Sequence, residues 1–270
     1  ALKLNTTGAE NVAVGFEALT ANTTANGNTG IGFKALLTNT TGGSNTAVGF
    51  NAARTISTGE NNVAVGKTAL YSATTSSYNT AVGANSGYNT TTGTQNTFLG
   101  RSAAETNSTG SYNTALGDQA LYANTTGHSN TACGRQALDA NTTGYYNNAV
   151  GRHALSANTT GNLNVAVGYA ALFTATTADA NTAIGHACME KTTTGASNTG
   201  VGQVALYENT TGYNNAAVGD SALQNCTQGH SNTAVGKNAA KDLTTGNNNT
   251  CIGEGAGENI TTSNANVCIG

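Results

Sequence analysis

Hydrophobic and polar positions recur along this chain with a period of seventeen residues, and neither set ever slips against the other. In the first clear copy, Asn11-Val12-Ala13-Val14-Gly15, a short apolar run is bracketed by asparagine and glycine. Two variable residues follow, then a second apolar pair, Ala18-Leu19. The closing glycine returns as Gly32, Gly49 and Gly66 and continues to Gly253 and Gly270, sixteen times in all, each with an asparagine four residues before it. A strict period without insertions predicts a solenoid whose coils stack one upon the next. Three short segments per unit, separated by glycine and asparagine turns, predict β-structure. Apolar residues at i, i+3 and i+4 are too sparse for an amphipathic helix.

Repetition turns one chain into sixteen aligned copies, and the contrast between positions carries the information. The residue after the fixed glycine drifts through Phe16, Lys67, Ala84, Arg101, Asp118, Tyr169, His186, Gln203 and Glu254, whereas the Asn11 position never changes. The Val14 position holds Val, Ile, Leu or Cys133, which predicts that it points into an apolar interior. The Leu19 position is mostly Leu, with Met189, and shrinks to Ala53, Gly87, Ala104, Ala240 or Gly257. The Ala13 and Ala18 positions stay small, Phe98 being the large exception, which predicts a close approach to the opposite wall or to another chain. Gly15 predicts positive φ or tight backbone contact. Asn11 can close a local turn or join a ladder of stacked copies. Thr6 and Thr7 recur as paired hydroxyls suited to β-structure, with Ser57, Ser108 and Gln228 as substitutes.

Composition narrows the function. Only 9% of the 270 residues are charged, there is no proline or tryptophan, and the net charge is −3. Ordinary domains carry about a quarter charged residues. The charges and all four histidines occupy only the positions of Lys3, Leu4, Ala9, Glu10, Phe16 and Glu17, which marks these as solvent face and loops. Stacked opposite charges such as Arg101, Asp118 and Arg135 read as surface neutralisation, weak individually. No basic stripe exists for nucleic acid, and no apolar run is long enough to cross a membrane. The array begins and stops in mid-register without capping units, as a segment of a longer fibre would. Cys133, Cys188, Cys251 and Cys268 stand at Val or Ala positions, and Cys226 at another. They read as buried free thiols; a Cys251–Cys268 disulfide is disfavoured because both side chains point the same way.

Each coil offers about two large apolar side chains, worth roughly 1.5–3 kcal/mol apiece when buried. Ordering the backbone costs about 1–2 kcal/mol per residue. A coil alone falls short, and a lateral interface between sister chains would supply further burial. The expectation is a homotrimer, with a monomeric two-sided solenoid as the alternative. At about 4.8 Å per coil, sixteen coils predict a rod of roughly 75 Å.

Asn45-Thr46-Ala47-Val48-Gly49 and Asn181-Thr182-Ala183-Ile184-Gly185 resemble the Asn-Ser-Val-Ala-Ile-Gly repeat of YadA-like trimeric adhesin heads. The longer stretch from Asn141-Thr142-Thr143-Gly144 to Gly151-Arg152-His153-Ala154-Leu155 is similar to repeats in bacteriophage tail fibres. The likeness runs along the whole chain. It implies a left-handed parallel β-roll, trimeric, located on a cell surface or virion, with any host or glycan receptor engaged by other parts of the fibre. The unit departs from the adhesin pattern in being longer, with a strand one residue shorter before its glycine.

No residue pattern assigns a catalytic site, a cofactor or a metal to the chain. Gly66-Lys67-Thr68 lacks the first glycine of a phosphate loop, since Asn61 stands there. Gly253-Glu254-Gly255-Ala256-Gly257 lacks a strand–helix context. His128, His153, His186 and His230 are scattered. Phe16, Phe33 and Phe50 form an aromatic ladder, expected in a trimer interface or under a loop. The ten tyrosines all fall at variable positions. Asn-x-Thr sequons recur at Asn5, Asn22, Asn39, Asn124, Asn141, Asn158 and Asn209. The reading is an all-β, non-enzymatic array over residues 1–270, serving as a structural or adhesive extracellular fibre shaft. The alternatives are an ice-binding protein using threonine ladders and a self-assembling filament.

Overall fold

The computed structural model describes residues 1–270. The chain divides into two compact units, Ala1–Arg135 and Gln136–Gly270, and both are built by the same rule. The first contains β1 (Val12–Val14), β2 (Thr29–Ile31), β3 (Thr46–Val48), β4 (Val63–Val65), β5 (Thr80–Val82), β6 (Thr97–Leu99), β7 (Thr114–Leu116) and β8 (Thr131–Cys133). The second contains β9 (Asn148–Val150), β10 (Val165–Val167), β11 (Thr182–Ile184), β12 (Thr199–Val201), β13 (Ala216–Val218), β14 (Thr233–Val235), β15 (Thr250–Ile252) and β16 (Val267–Ile269). Within each unit every strand pairs in parallel with the next, one period along: Ala13 opposite Gly30 in the first, Ala166 opposite Ala183 in the second. The fold is a parallel β-solenoid.

Only one of the three anticipated β segments per coil forms a strand. The other two sides also hydrogen-bond from coil to coil, as in Thr6 N to Thr23 O (2.9 Å) and Leu19 N to Ala35 O (3.0 Å). Left-handed residues interrupt them: Glu10, Glu17 and Leu19 have φ of 59°, 54° and 50°, and their counterparts repeat these values. Such kinks turn the chain sharply enough to close a coil in seventeen residues, and they break the extended geometry that a strand requires.

The interior is narrow. It consists of the Ala13, Ala18 and Leu19 positions, flanked by the Asn5, Gly8 and Asn11 positions, nearly all fully buried. Alanine is the inward residue of the strand; its two neighbours face outward, as strand alternation demands. The expectation that the Val14 position lines the core is therefore corrected. Val14 itself is 56% exposed, and Ile31, Val82, Val150, Val218 and Ile252 are exposed as well. The Ala13 position is small because it meets the Leu19 side chain across the coil, a Cβ on Gly30 lying 3.2 Å from Leu19 Cγ; the Ala18 position is fully buried within the chain, so neither faces a sister chain.

Size compensation shows how tight that contact is. Phe98 takes the alanine position of β6 and is fully buried, and Gly87 and Ala104 stand where leucine would otherwise be. A methyl group placed on Gly87 would lie 2.9 Å from Phe98 Cδ2. At Gly200 the roles reverse, with Cys188 and Met189 filling the space.

Asparagine and glycine hold the coils together. The Asn28 amide donates to Gly42 O (2.9 Å), and its oxygen accepts from Asn45 N (2.9 Å). Asn62 adds a side-chain link, donating to Asn45 Oδ1 at 2.9 Å. No buried side-chain oxygen or nitrogen of this ladder is left without a partner, which offsets much of the cost of burying the amides. The fixed glycine meets both demands expected of Gly15. Gly49 has φ of 142°, and a methyl on it would lie 2.4 Å from the Gly66 carbonyl oxygen.

Candidate interaction face

The outer face of the strands is the most distinctive surface of the molecule. Two ladders run along it, one at the Val12 position, mostly threonine, and one at the Val14 position, all Val, Ile or Leu except Cys133. Neither ladder contains a charged residue. Apart from Asn148 and Cys133, each coil therefore presents a hydroxyl or methyl beside a branched apolar side chain, on strands spaced about 4.8 Å apart. Contiguous exposed apolar surface is unusual on a monomeric protein. The signal that would have revealed it in the sequence is the pairing of Phe98 with Gly87 and Ala104: only an inward position needs that compensation.

Beside this face stand the variable residues of the Phe16 position. Phe16, Phe33 and Phe50 stack with ring centroids 5.3 and 5.1 Å apart and planes within 12°. Each inner ring face is covered by the next ring, so the ladder offers solvent an edge rather than a flat platform for a sugar. Lys34 Nζ sits 5.1 Å from the Phe33 ring and pairs with Glu17 at 3.5 Å. Further along the same position Arg101 and Arg135 flank Asp118 at 2.8 and 3.8 Å, the neutralisation anticipated from the sequence. Tyr169 and His186 stack at 5.3 Å.

The threonine pair divides in role. Hydroxyls of the Thr6 position bond the next coil's carbonyl, for example Thr40 Oγ1 to Ser57 O (3.1 Å) and Thr142 Oγ1 to Thr159 O (3.0 Å). Those of the Thr7 position are exposed. The sequon asparagines Asn22, Asn39, Asn124, Asn141, Asn158 and Asn209 are fully buried, their amides engaged in a second ladder and in bonds such as Asn39 Nδ2 to Gly42 O (2.9 Å). A folded coil gives no enzyme access to these nitrogens.

No pocket opens on the surface, and no group of three or more His, Cys, Asp or Glu is arranged to hold a metal. Thr68 of the Gly66-Lys67-Thr68 stretch is buried, with its hydroxyl 2.6 Å from Asn85 Oδ1. All five cysteines are free. Cys188, Cys226 and Cys251 are buried, whereas Cys133 lies on the outward ladder, half-buried, contrary to the interior position expected for it. Burial pushes the Cys188 thiol up to about 12 and that of Cys226 up to about 11. Cys251 is raised too, first by burial and then by the adjacent Cys268 thiol. No protein family matches the chain, and no curated protein matches it significantly.

Proposed function

We propose that this chain is a structural segment of an extracellular fibre, on a bacterial surface or a virion, in which three identical copies pack through their outward strand faces. The observation that carries the reading is the uncharged Val/Ile/Leu ladder in each unit, interrupted only by Cys133. Covering a valine left about two-fifths exposed contributes roughly 1 kcal/mol. Repeated along the ladder, whose more buried members contribute less, that is comparable with the roughly 4–15 kcal/mol that association costs. The repeat's likeness to trimeric adhesin heads and phage tail fibres supports the same assembly. In this reading the chain performs no catalysis and binds no cofactor; it spaces and stiffens, and receptors are met by other parts of the fibre. Native mass spectrometry of the purified chain tests it. A trimer is expected, and a monomer at micromolar concentration would overturn the proposal.

A second reading is favoured by one observation. Threonine at the Val12 position and valine at the Val14 position share one face, an arrangement of hydroxyls and methyls at regular spacing that could order water as ice does. The Thr6 hydroxyls cannot contribute, being bonded to backbone carbonyls. Thermal hysteresis of the free chain would support this reading, and a freezing point equal to that of a buffer control would retire it.

A further inference from the structure

The strands β15 and β16 bring two thiols together, Cys251 buried and Cys268 half-buried. Cys251 and Cys268 are register partners at the inward alanine position. In the coil of Cys251, glycine replaces the leucine that usually faces this position. Sulfur fills that position instead: the point that a Gly257 Cβ would occupy lies 2.6 Å from Cys251 Sγ, 3.3 Å from Cys268 Sγ and 3.0 Å from Ile260 Cδ1. Two nucleophilic sulfurs thus meet beside one glycine and the Ile260 side chain.

Geometry decides what can join them. A disulfide needs Cβ atoms about 3.5–4.5 Å apart, whereas in-register strands hold equivalent atoms about 4.8 Å apart with parallel vectors. Two metal–thiolate bonds of about 2.3 Å each span that interval. No third donor is present, because no group of three or more His, Cys, Asp or Glu surrounds a common point. Thiolate ligands select soft ions, and the absence of further donors selects one satisfied by two.

We propose that Cys251 and Cys268 form a binding site for a soft monovalent d10 cation, Cu(I) or Ag(I), held between the two sulfurs of stacked coils beside Gly257. On binding, each thiol loses its proton to solvent as its sulfur bonds the ion, so one ion releases two protons, and no electron is transferred. The bound ion ties β15 to β16 where hydrogen bonds alone join neighbouring strands.

Ag(I) is the probe, titrated in chloride-free buffer near neutral pH into the full chain carrying Cys133→Ser, which removes the half-exposed thiol of the outer face. The first equivalent is expected to bind one ion per chain, release two protons and produce thiolate charge-transfer absorption. Cys268→Ala and Cys251→Ala install the alanine that neighbouring coils carry at this position, so the fold is retained, and each should lose the two-proton event. Gly257→Leu drives a side chain against the Cys251 sulfur, 2.6 Å from the added Cβ, and should lose it while keeping both thiols. Cys188→Ala should leave it intact. A first equivalent that releases a single proton, or a two-proton event that survives Cys268→Ala, would overturn the assignment.

Discussion

Left-handed residues other than glycine are the most unusual feature at the scale of single residues. Each coil places them at the Glu10, Glu17 and Leu19 positions, and the identities there range from Asn and Ser to Val204, with φ of 47°. A left-handed conformation costs roughly 1–2 kcal/mol in a residue with a Cβ, less for asparagine, and β-branching adds crowding. Val204→Asn, which copies Asn51, Asn85 and Asn238 at the same position, is therefore expected to stabilise its coil by ~1 kcal/mol, read as slower local hydrogen exchange. Local exchange is the right measure because solenoids unfold by neighbouring repeats and not in two states. Buried thiols give a second expectation. Folding raises Cys188 from an ordinary 9.0 to about 12, so the folded state keeps its proton longer. Its contribution is intact below pH 9 and declines as pH rises from about 9 towards 12. Urea titrations across that range should show the parent chain losing stability relative to Cys188→Ala.

Between residue and coil, the element that matters is the ladder, and its breaks are informative. At the Asn5 position asparagine gives way to Ile56, Ala175 and Cys226, and the oxygens Asn39 Oδ1, Asn158 Oδ1 and Asn209 Oδ1, one coil before each, are left buried without a partner. Ala175→Asn should return a donor to Asn158 Oδ1, as Asn158 itself donates to Asn141 Oδ1 at 2.8 Å, and stabilise that region by about 1 kcal/mol. Core packing supplies another test. Gly87→Leu is expected to overpack against Phe98, and Phe98→Ala to cost about 3–5 kcal/mol through the cavity it leaves. Combined, the two should recover much of the loss, because Ala and Leu are what most coils carry; additive losses in a double-mutant cycle would refute the compensation. The period, the turn glycine and the asparagine ladder were legible in the sequence because each depends on a residue type that nothing else replaces. The outward direction of the Val14 position was not. A three-residue strand has one inward side chain, and hydrophobicity favours valine over alanine for it; only the narrowness of the lumen, set by Leu19 opposite, decides for alanine. The left-handed positions were equally hidden, since they accept almost any residue.

For the whole molecule, the deciding experiment concerns the outward ladder. Val48→Asp in the first unit together with Val167→Asp in the second places charge where copies would meet, at side chains that take no part in the coil interior. The fold should be retained by far-ultraviolet circular dichroism, and the native mass should fall from trimer to monomer; an unchanged oligomer would remove this face from the interface. The close contact between successive fixed glycines carries a further consequence, for inheritance. Because Gly49 touches the Gly66 carbonyl with no room even for a methyl group, inserting or deleting a single residue would misalign every amide and carbonyl that follows. Gain or loss of a complete period leaves those contacts as they were. Recombination between near-identical stretches of the gene can therefore lengthen or shorten the protein only in whole steps, like a ruler cut at its graduations, and each new length is a working length from the outset.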